Sequence, residues 1–86
     1  MYSVELSTKA QDFLNKLDIK ERERIEKRLK NLENNPFPSD AKFIGRDNGE
    51  KVFRYRLGYF RALYKVKEIL KIVLIAKIDK RDRVYN

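Results

Sequence analysis

Hydrophobic residues near the start of the chain follow two different periods, which predicts a strand and then a helix. Every second position of residues 2–6 is apolar, a pattern typical of a short strand with one buried face. Over residues 10–17 the apolar positions recur at intervals of three and four, as they do on one face of an amphipathic helix. Thr8 and Gln11 form a candidate capping box, which makes Thr8 the expected N-cap of this helix.

A second helix is expected to follow directly. Asp18 and Glu21 repeat the start signal, and Asn35 with Pro36 ends the pattern. The polar face over residues 20–30 mixes glutamates with the cations, which is typical of a solvated, salt-bridged helix, although a contact surface for a partner stays open. The glutamates also argue against a recognition helix that reads DNA.

The second half of the chain predicts strands joined by short turns. Residues 36–40 form a connecting loop, and Asp47–Asn48–Gly49 is a strong turn signal between short extended segments. Residues 52–57 and 60–67 alternate strictly, and Gly58 with Tyr59 forms the turn between them. Residues 69–78 are the most apolar segment and predict an inner strand. We expect its side chains at four alternate positions to meet the helices: Ile72, Leu74, Ala76 and Ile78.

These elements predict one α+β domain over residues 1–86. Their order is an N-terminal strand, a helical hairpin and an antiparallel sheet, written β-α-α-β-β-β, with the helices packed on one face. In the two long alternating segments Phe53, Tyr55 and Tyr64 share the buried parity, whereas Arg54 and Arg56 fall on the opposite face. We therefore expect a polar and basic outer face.

Charge is concentrated in the second half of the chain. Residues 1–43 hold nine Lys or Arg against eight Asp or Glu, whereas residues 44–86 hold 12 against five. A basic face attracts polyanions and speeds their arrival, but it equally attracts an acidic protein or an anionic membrane surface. Charge alone therefore leaves the class of partner open.

Composition restricts the possible chemistry. The chain has no Cys and no His, which removes disulfides, thiolate nucleophiles and the usual transition-metal ligands, so we expect neither a metal nor a cofactor. The longest apolar run, residues 72–76, is too short to cross a bilayer, and residues 1–6 do not resemble a signal peptide. A cytoplasmic protein with no membrane partner is the expectation.

Arginine and tyrosine provide the remaining candidate chemistry. Guanidinium groups stay charged, grip phosphate oxygens in a planar fork and stack on bases, and a tyrosine hydroxyl can move a proton. These residues cluster in the last third of the chain: Arg54, Arg56, Arg61, Arg81 and Arg83, with Tyr55, Tyr59, Tyr64 and Tyr85. The plainer interpretation is that Arg54 and Arg56 are ordinary solvent-facing residues and that Tyr55 and Tyr64 belong to the core.

The order of short segments along nearly the whole chain resembles the RelE toxins of the RelE/ParE superfamily. The segments that carry the resemblance are residues 2–6 with Ser7, Lys9 and Ala10, then Phe13-Leu14, Asn35-Pro36, Phe53-Arg54-Tyr55-Arg56, Gly58, Arg61-Ala62-Leu63-Tyr64 and residues 80–85. The resemblance implies a toxin of a type II toxin–antitoxin system. Such a toxin enters the ribosome, cleaves messenger RNA in the A site and is silenced by a RelB-like antitoxin in a hetero-oligomer.

The resemblance also implies a set of site residues. The catalytic positions map onto Arg54, Arg56, Arg61, Arg81 and Tyr85, and further RNA contacts are expected from Lys77, Lys80, Arg83 and Tyr59. Well-known relatives commonly have lysine at the first two catalytic positions, and several use a histidine that this chain lacks. Because arginine does not give up its proton near neutral pH, Tyr85 is the proton-transfer candidate among the five.

Two other functions fit the same sequence. A relative of the ParE type would inhibit DNA gyrase by protein contact and would need no nuclease site. A non-catalytic RNA-binding module would use the same cations and would stack bases on Tyr59 or Tyr85.

Overall fold

Residues 1–81 are described by the computed structural model, and they form a mixed sheet with helices on one face. The helices are α1 (Thr8–Asn15) and α2 (Ile19–Lys30), and a short 3-10 turn (Asn31–Glu33) follows them. The strands are β1 (Ser3–Leu6), β2 (Ala41–Asp47), β3 (Glu50–Leu57), β4 (Phe60–Lys67) and β5 (Ile72–Lys80). The α+β class and the helical hairpin are confirmed, and four strands follow the helices where three were expected.

The strand order is β1-β5-β4-β3-β2, so β1 and β2 lie at the two edges of the sheet. Three neighbouring pairs are antiparallel, as predicted, whereas β1 runs parallel to β5 with Ser3 opposite Ile72. The β2–β3 turn uses Asn48 and Gly49, both with positive φ, and so confirms the turn signal. At the β3–β4 turn Gly58 has a φ of 67°, a conformation that glycine adopts without steric cost.

The N-cap of α1 lies one residue before the predicted N-cap. Ser7, and not Thr8, is the N-cap, because its Oγ accepts a hydrogen bond from the Ala10 amide at 3.1 Å. The same hydroxyl donates to the carbonyl oxygen of Ala76 at 2.8 Å and so ties the start of α1 to β5. The start signal of α2 is confirmed, since the Asp18 carboxylate accepts from the Glu21 amide at 2.9 Å.

A single hydrophobic core fills the space between the helices and the sheet. The helices contribute Ala10, Leu14, Ile25 and Leu29, and β3 and β4 contribute the alternate residues that the sequence assigned to the buried face: Phe53, Tyr55, Leu57, Phe60, Ala62, Tyr64 and Val66. Tyr64 is fully buried and donates its hydroxyl to the Pro36 carbonyl at 2.8 Å. The assignment of Tyr55 and Tyr64 to the core is therefore confirmed.

The predicted orientation of β5 is wrong over most of its length. Val73 and Ile75 are the buried residues there, not Ile72, Leu74 or Ala76. The reason is a β-bulge, since Tyr64 pairs with Ile75 while its neighbour Leu63 pairs with Lys77, which leaves Ala76 as an extra residue. Beyond the bulge the alternation is shifted by one, and Ile78 faces the core as predicted. The predicted strand also begins three residues too early, because residues 68–71 form a turn.

Candidate functional site

The sheet face away from the helices, here called the outer face, carries six of the 12 Lys and Arg residues of the second half of the chain, together with Lys42. Register partners share a face, so β2 to β5 can be followed across the sheet from one paired residue to the next. The basic residues that this pairing brings to the outer face are Lys42, Arg54, Arg56, Arg61, Lys65, Lys67 and Lys77.

One end of the outer face is balanced by carboxylates. Lys67 donates to both carboxylate oxygens of Glu50 at 2.9 and 3.1 Å, and Lys65 forms an ion pair with Asp47. These pairs lie at the end that carries the β2–β3 turn. The positive charge of this end is therefore largely compensated within the fold.

At the opposite end the cations surround an open depression of about 310 Å³, here called the arginine depression. Its lining comes from the 36–40 loop and from three strands: Ser39, Asp40, Ala41, Lys42, Arg54, Arg56 and Arg61. Lys42 pairs with Arg54 across β2 and β3, and Arg56 pairs with Arg61 across β3 and β4. Three of the five predicted catalytic residues thus line one surface. Four cations surround a single carboxylate there, that of Asp40.

Arg61 is held at the β3–β4 turn by backbone oxygens. Its Nη1 lies 3.3 Å from the carbonyl oxygen of Gly58 and 3.3 Å from that of Phe60. Its register partner on the other side is Asp79 of β5, whose Oδ1 accepts a hydrogen bond from the Lys80 amide at 2.7 Å. The turn therefore fixes the direction of the Arg61 guanidinium at the rim of the arginine depression.

Arg81, the fourth predicted catalytic residue, follows β5 directly and is exposed. Its amide donates to the Tyr59 carbonyl at 3.2 Å, so its backbone lies beside the β3–β4 turn that also holds Arg61. The predicted residues Arg83 and Tyr85 lie outside the described residues.

The predicted RNA contacts fall on different surfaces. Lys77 pairs with Leu63 and lies on the outer face, whereas Lys80 pairs with the buried Phe60 and so shares the face that the helices cover. Tyr59 is 69% exposed, and it lines a groove of about 180 Å³ between α2 and the β3–β4 turn. The structure brings Lys77, but neither Lys80 nor Tyr59, onto the face of the arginine depression.

Sequence reasoning missed three residues at this end of the molecule. Lys42 belongs to β2, whose hydrophobic pattern is too irregular to predict a face, and it joins the cluster only through its pairing with Arg54. Asp40 lines the depression from the preceding loop. Arg28 of α2 forms an ion pair with Asp40 at 2.9 Å, and nothing in the charged pattern of the helix distinguished it from its neighbours.

The buried tyrosines are poor candidates for proton transfer. Burial raises the pKa of the Tyr64 phenol well above its usual range, and a hydrogen bond to Pro36 occupies its proton. Burial also raises the pKa of Tyr55, while Arg28 lowers it and Asp40 raises it further. Neither phenol is therefore poised to ionise near neutral pH.

Neither an acidic metal site nor a membrane-spanning helix is present within residues 1–81. No cluster of three or more Asp or Glu that could hold a metal ion occurs in this part of the chain. None of its helices is long and apolar enough to cross a bilayer.

The fold and the concentrated cations define a small α+β protein with one strongly basic surface, and comparison with known proteins gives its family. The family model described as the ParE toxin of the type II toxin–antitoxin system parDE matches residues 4–85. The chain belongs to this family, and within the RelE/ParE superfamily it is a toxin of the RelE type.

Individual relatives agree with this assignment. The chain is 29% identical over 86 residues to a Methanocaldococcus jannaschii protein named as a candidate toxin RelE1, an alignment that covers 99% of this chain and 96% of that protein. The toxin fold in the archaeal RelE–RelB complex of Pyrococcus horikoshii superposes with a TM-score of 0.84 at 26% identity, covering 96% and 98% of the two chains. The RelBE2 toxin–antitoxin complex of Mycobacterium tuberculosis gives 0.77 at 26% identity, covering 93% and 98%.

Proposed function

We propose that this toxin cleaves messenger RNA in the ribosomal A site, without a metal, by attack of a ribose 2′-hydroxyl on the adjacent phosphate. The observation that supports the proposal is the arginine depression, where Arg54, Arg56 and Arg61 from two paired strands line one open surface with Lys42. The depression opens to solvent at the end of the sheet where β5 leads into Arg81. Its charge and planar donors suit a phosphodiester.

The reaction requires three tasks. The 2′-oxygen attacks phosphorus, the bond from phosphorus to the 5′-oxygen breaks, and the products are a 2′,3′-cyclic phosphate and a 5′-hydroxyl. A base takes the 2′ proton, an acid gives one to the leaving oxygen, and cations stabilise the charge that develops on the phosphate. Arg61 and Arg81 are assigned to the phosphate, and Arg54 and Arg56 to the phosphate or the leaving group, since each aligned donor supplies about 10² to 10³ in rate by analogy with an oxyanion hole.

Proton transfer is assigned to Tyr85. Arginine is a poor base, the pKa values of Tyr55 and Tyr64 are raised by burial, and Tyr85 follows Arg81 by four residues. Guanidinium groups placed next to a phenol favour its phenolate, so in this proposal Tyr85 acts as the base or directs the hydrogen bond of the attacking hydroxyl. Lys77, Lys80 or a group of the RNA or the ribosome supplies the final proton.

A cognate antitoxin is the second partner in this proposal. The solved relatives include RelE–RelB complexes, and this chain offers the same fold with a basic outer face. We expect a RelB-like antitoxin with acidic residues near the arginine depression and apolar anchors elsewhere on the surface, in a toxin–antitoxin hetero-oligomer. Copurification of the chain with the product of an adjacent gene, followed by release in denaturant, tests this part.

Primer extension on translating ribosomes tests the nuclease assignment. The wild-type toxin should produce cuts within the A-site codon. Arg81→Ala should reduce them by about 10² to 10³, and Tyr85→Phe by about 10² to 10⁴. Arg46→Ala beside the β2–β3 turn is the control, because it removes the same charge from an exposed position at the opposite end of the sheet. Equal cutting by all four proteins would contradict the assignment.

Gyrase inhibition is the second candidate, favoured by the description of the matching family as ParE toxins. A supercoiling assay with purified DNA gyrase separates the two activities. Blocked supercoiling together with intact transcripts would support the gyrase inhibitor. RNA binding without either effect would support a passive RNA-binding module.

A further inference from the structure

Arg28 joins three separate parts of the molecule beside the arginine depression. Its Nη2 donates to Oδ2 of Asp40 at 2.9 Å and to the carbonyl oxygen of Arg56 at 2.9 Å. Its guanidinium carbon also lies 5.0 Å from the centre of the Tyr55 ring. A planar guanidinium can hold two acceptors and stack on a ring at the same time. Arg28 therefore connects α2, the 36–40 loop and the end of β3.

Asp40 lies on the wall between two depressions. On one side it lines the arginine depression, and on the other it lines a depression of about 260 Å³ that also contains Arg28 and Tyr55. Its carboxylate is turned to the second side, where Oδ2 contacts Arg28. The pKa of Tyr55 agrees with this position: burial raises it most, Arg28 lowers it, and the Asp40 charge raises it. The Asp40 carboxylate therefore lies at the edge of the arginine depression. Arg28, which lies outside this depression, holds the carboxylate away from its cations.

A carboxylate and a phosphate compete for the same donors, because guanidinium groups bind both in the same forked geometry. We propose that Arg28 is a positioning residue, which holds the Asp40 carboxylate on the helix side and so prevents it from competing with RNA phosphate for the cations of the arginine depression. The phosphate in this statement rests on the proposed function, whereas the contacts of Arg28 and Asp40 do not.

Stability alone gives a weaker account of this ion pair. The two side chains are 41% and 49% exposed, and ion pairs that are this open to water contribute little to folding. A purely stabilising role would also not require Asp40 to line the cation cluster. The two roles differ in one measurable respect. If Arg28 restrains Asp40, removing the Asp40 charge should restore the RNA affinity that is lost when Arg28 is replaced.

A double-mutant cycle on RNA binding measures this repair. The probe is a fluorescein-labelled, single-stranded 2′-O-methyl RNA, which binds but cannot be cut because its 2′-oxygen is blocked. Fluorescence anisotropy at fixed salt gives the affinity of the full chain carrying Arg28→Met, Asp40→Asn or both. The matched control cycle replaces Arg28→Met with Arg24→Met. Arg24 lies one turn earlier on α2 and is exposed. Within residues 1–81 it forms no hydrogen bond or ion pair with Asp40 or Arg56, the two partners of Arg28.

Arg28→Met should weaken binding about fivefold, and adding Asp40→Asn should restore it to within about twofold of the wild type. In the wild-type and Arg24→Met backgrounds Asp40→Asn should improve binding less than about twofold, because Arg28 still holds the carboxylate there. The salt dependence provides a second readout. Releasing Asp40 should remove about one phosphate contact, which lowers the slope of log affinity against log salt by about 0.7 for a single strand.

An equal improvement by Asp40→Asn in all three backgrounds would show a general charge effect and overturn the inference. Failure of Asp40→Asn to repair Arg28→Met would do the same, since Arg28 would then act only through the fold. Thermal unfolding checks each variant, and Arg28→Gln repeats the cycle with a smaller perturbation if Arg28→Met unfolds. A coupled cycle without cuts on ribosomes would overturn the nuclease assignment alone, whereas cuts without coupling would overturn the role of Arg28 alone.

Discussion

Arg56 and Arg61 are direct register partners across β3 and β4, so two guanidinium side chains leave the same sheet face at neighbouring positions. Like charges at directly opposed positions destabilise a sheet. The contribution of one cross-strand pair to stability varies by about 0.2 to 1 kcal/mol with the two side chains. A fold selected only for stability would place an opposite charge or a β-branched residue at one of these positions. The pair is therefore a local repulsion that a bound polyanion would reduce, beside the opposite charge that Arg61 meets at Asp79 on β5.

Arg56→Thr should separate stability from function. The substitution removes the like-charge pair and introduces a residue that strands favour, so the free energy of unfolding should rise by about 0.2 to 1 kcal/mol. Cleavage on ribosomes should fall by about 10². Urea denaturation and primer extension provide the two measurements. Lys67→Thr is the control, because it breaks the ion pair with Glu50 on the same face and should raise neither quantity.

Ser7→Ala should destabilise the protein more than Thr8→Ala. The Ser7 hydroxyl caps α1 and also donates to the Ala76 carbonyl at the bulge of β5, so its loss affects two contacts and should cost about 1 to 2 kcal/mol. Thr8 is exposed and is not the N-cap, so its replacement should cost less than about 0.5 kcal/mol. Urea denaturation compares the two variants. The reverse order would mean that Thr8 is the N-cap, as the sequence pattern alone predicted.

Tyr64→Phe should lower the free energy of unfolding by about 1 to 3 kcal/mol. The substitution keeps the ring packing but leaves the buried carbonyl oxygen of Pro36 without its 2.8 Å hydrogen bond. Tyr55→Phe is the matched control on the neighbouring strand, since its ring is equally buried but makes no such bond to Pro36. Its effect should stay below that of Tyr64→Phe. Equal losses for both variants would show that the Pro36 bond contributes nothing measurable.

Alkaline conditions should destabilise the fold through Tyr64. Burial raises the pKa of Tyr64 above the ordinary value of 10.0, so above about pH 10 the unfolded chain releases this proton while the folded chain keeps it. The folded state then binds more protons, and the free energy of unfolding falls by up to about 1.4 kcal/mol per pH unit for this group. The stability is fully present below pH 10. Tyr64→Phe should show a shallower decline between pH 10 and 11 in urea titrations, and parallel curves would contradict the assignment.

Local patterns were sufficient for much of the fold. Strict alternation in β3 and β4 predicted which residues are buried, because the two-residue turn at Gly58–Tyr59 joins these strands in an unbroken antiparallel register. The start of α2 was also predicted, since a cap depends on residues only three positions apart. The arginines of the outer face followed from the same alternation.

Features that depend on distant pairing could not be predicted in this way. The bulge at Ala76 reverses the alternation in β5, and its carbonyl is satisfied by Ser7 from the other end of the chain. The parallel pairing of β1 with β5 and the position of Lys42 beside Arg54 likewise depend on contacts across the sheet. A prediction from the spacing of apolar residues uses only near neighbours in the sequence, so it does not include such contacts.

The sequence by itself determined the α+β class, the buried residues of β3 and β4, and the chemistry of an arginine-rich surface that lacks histidine and cysteine. Only the tertiary structure decided which cations stand together, and that Asp40 and Arg28 accompany them. The physical reason is that the side of a strand or helix on which a residue lies follows from its immediate neighbours in the sequence. Which residues line the same depression depends on strand register and on the path of the loops, and the packing of the whole chain fixes both.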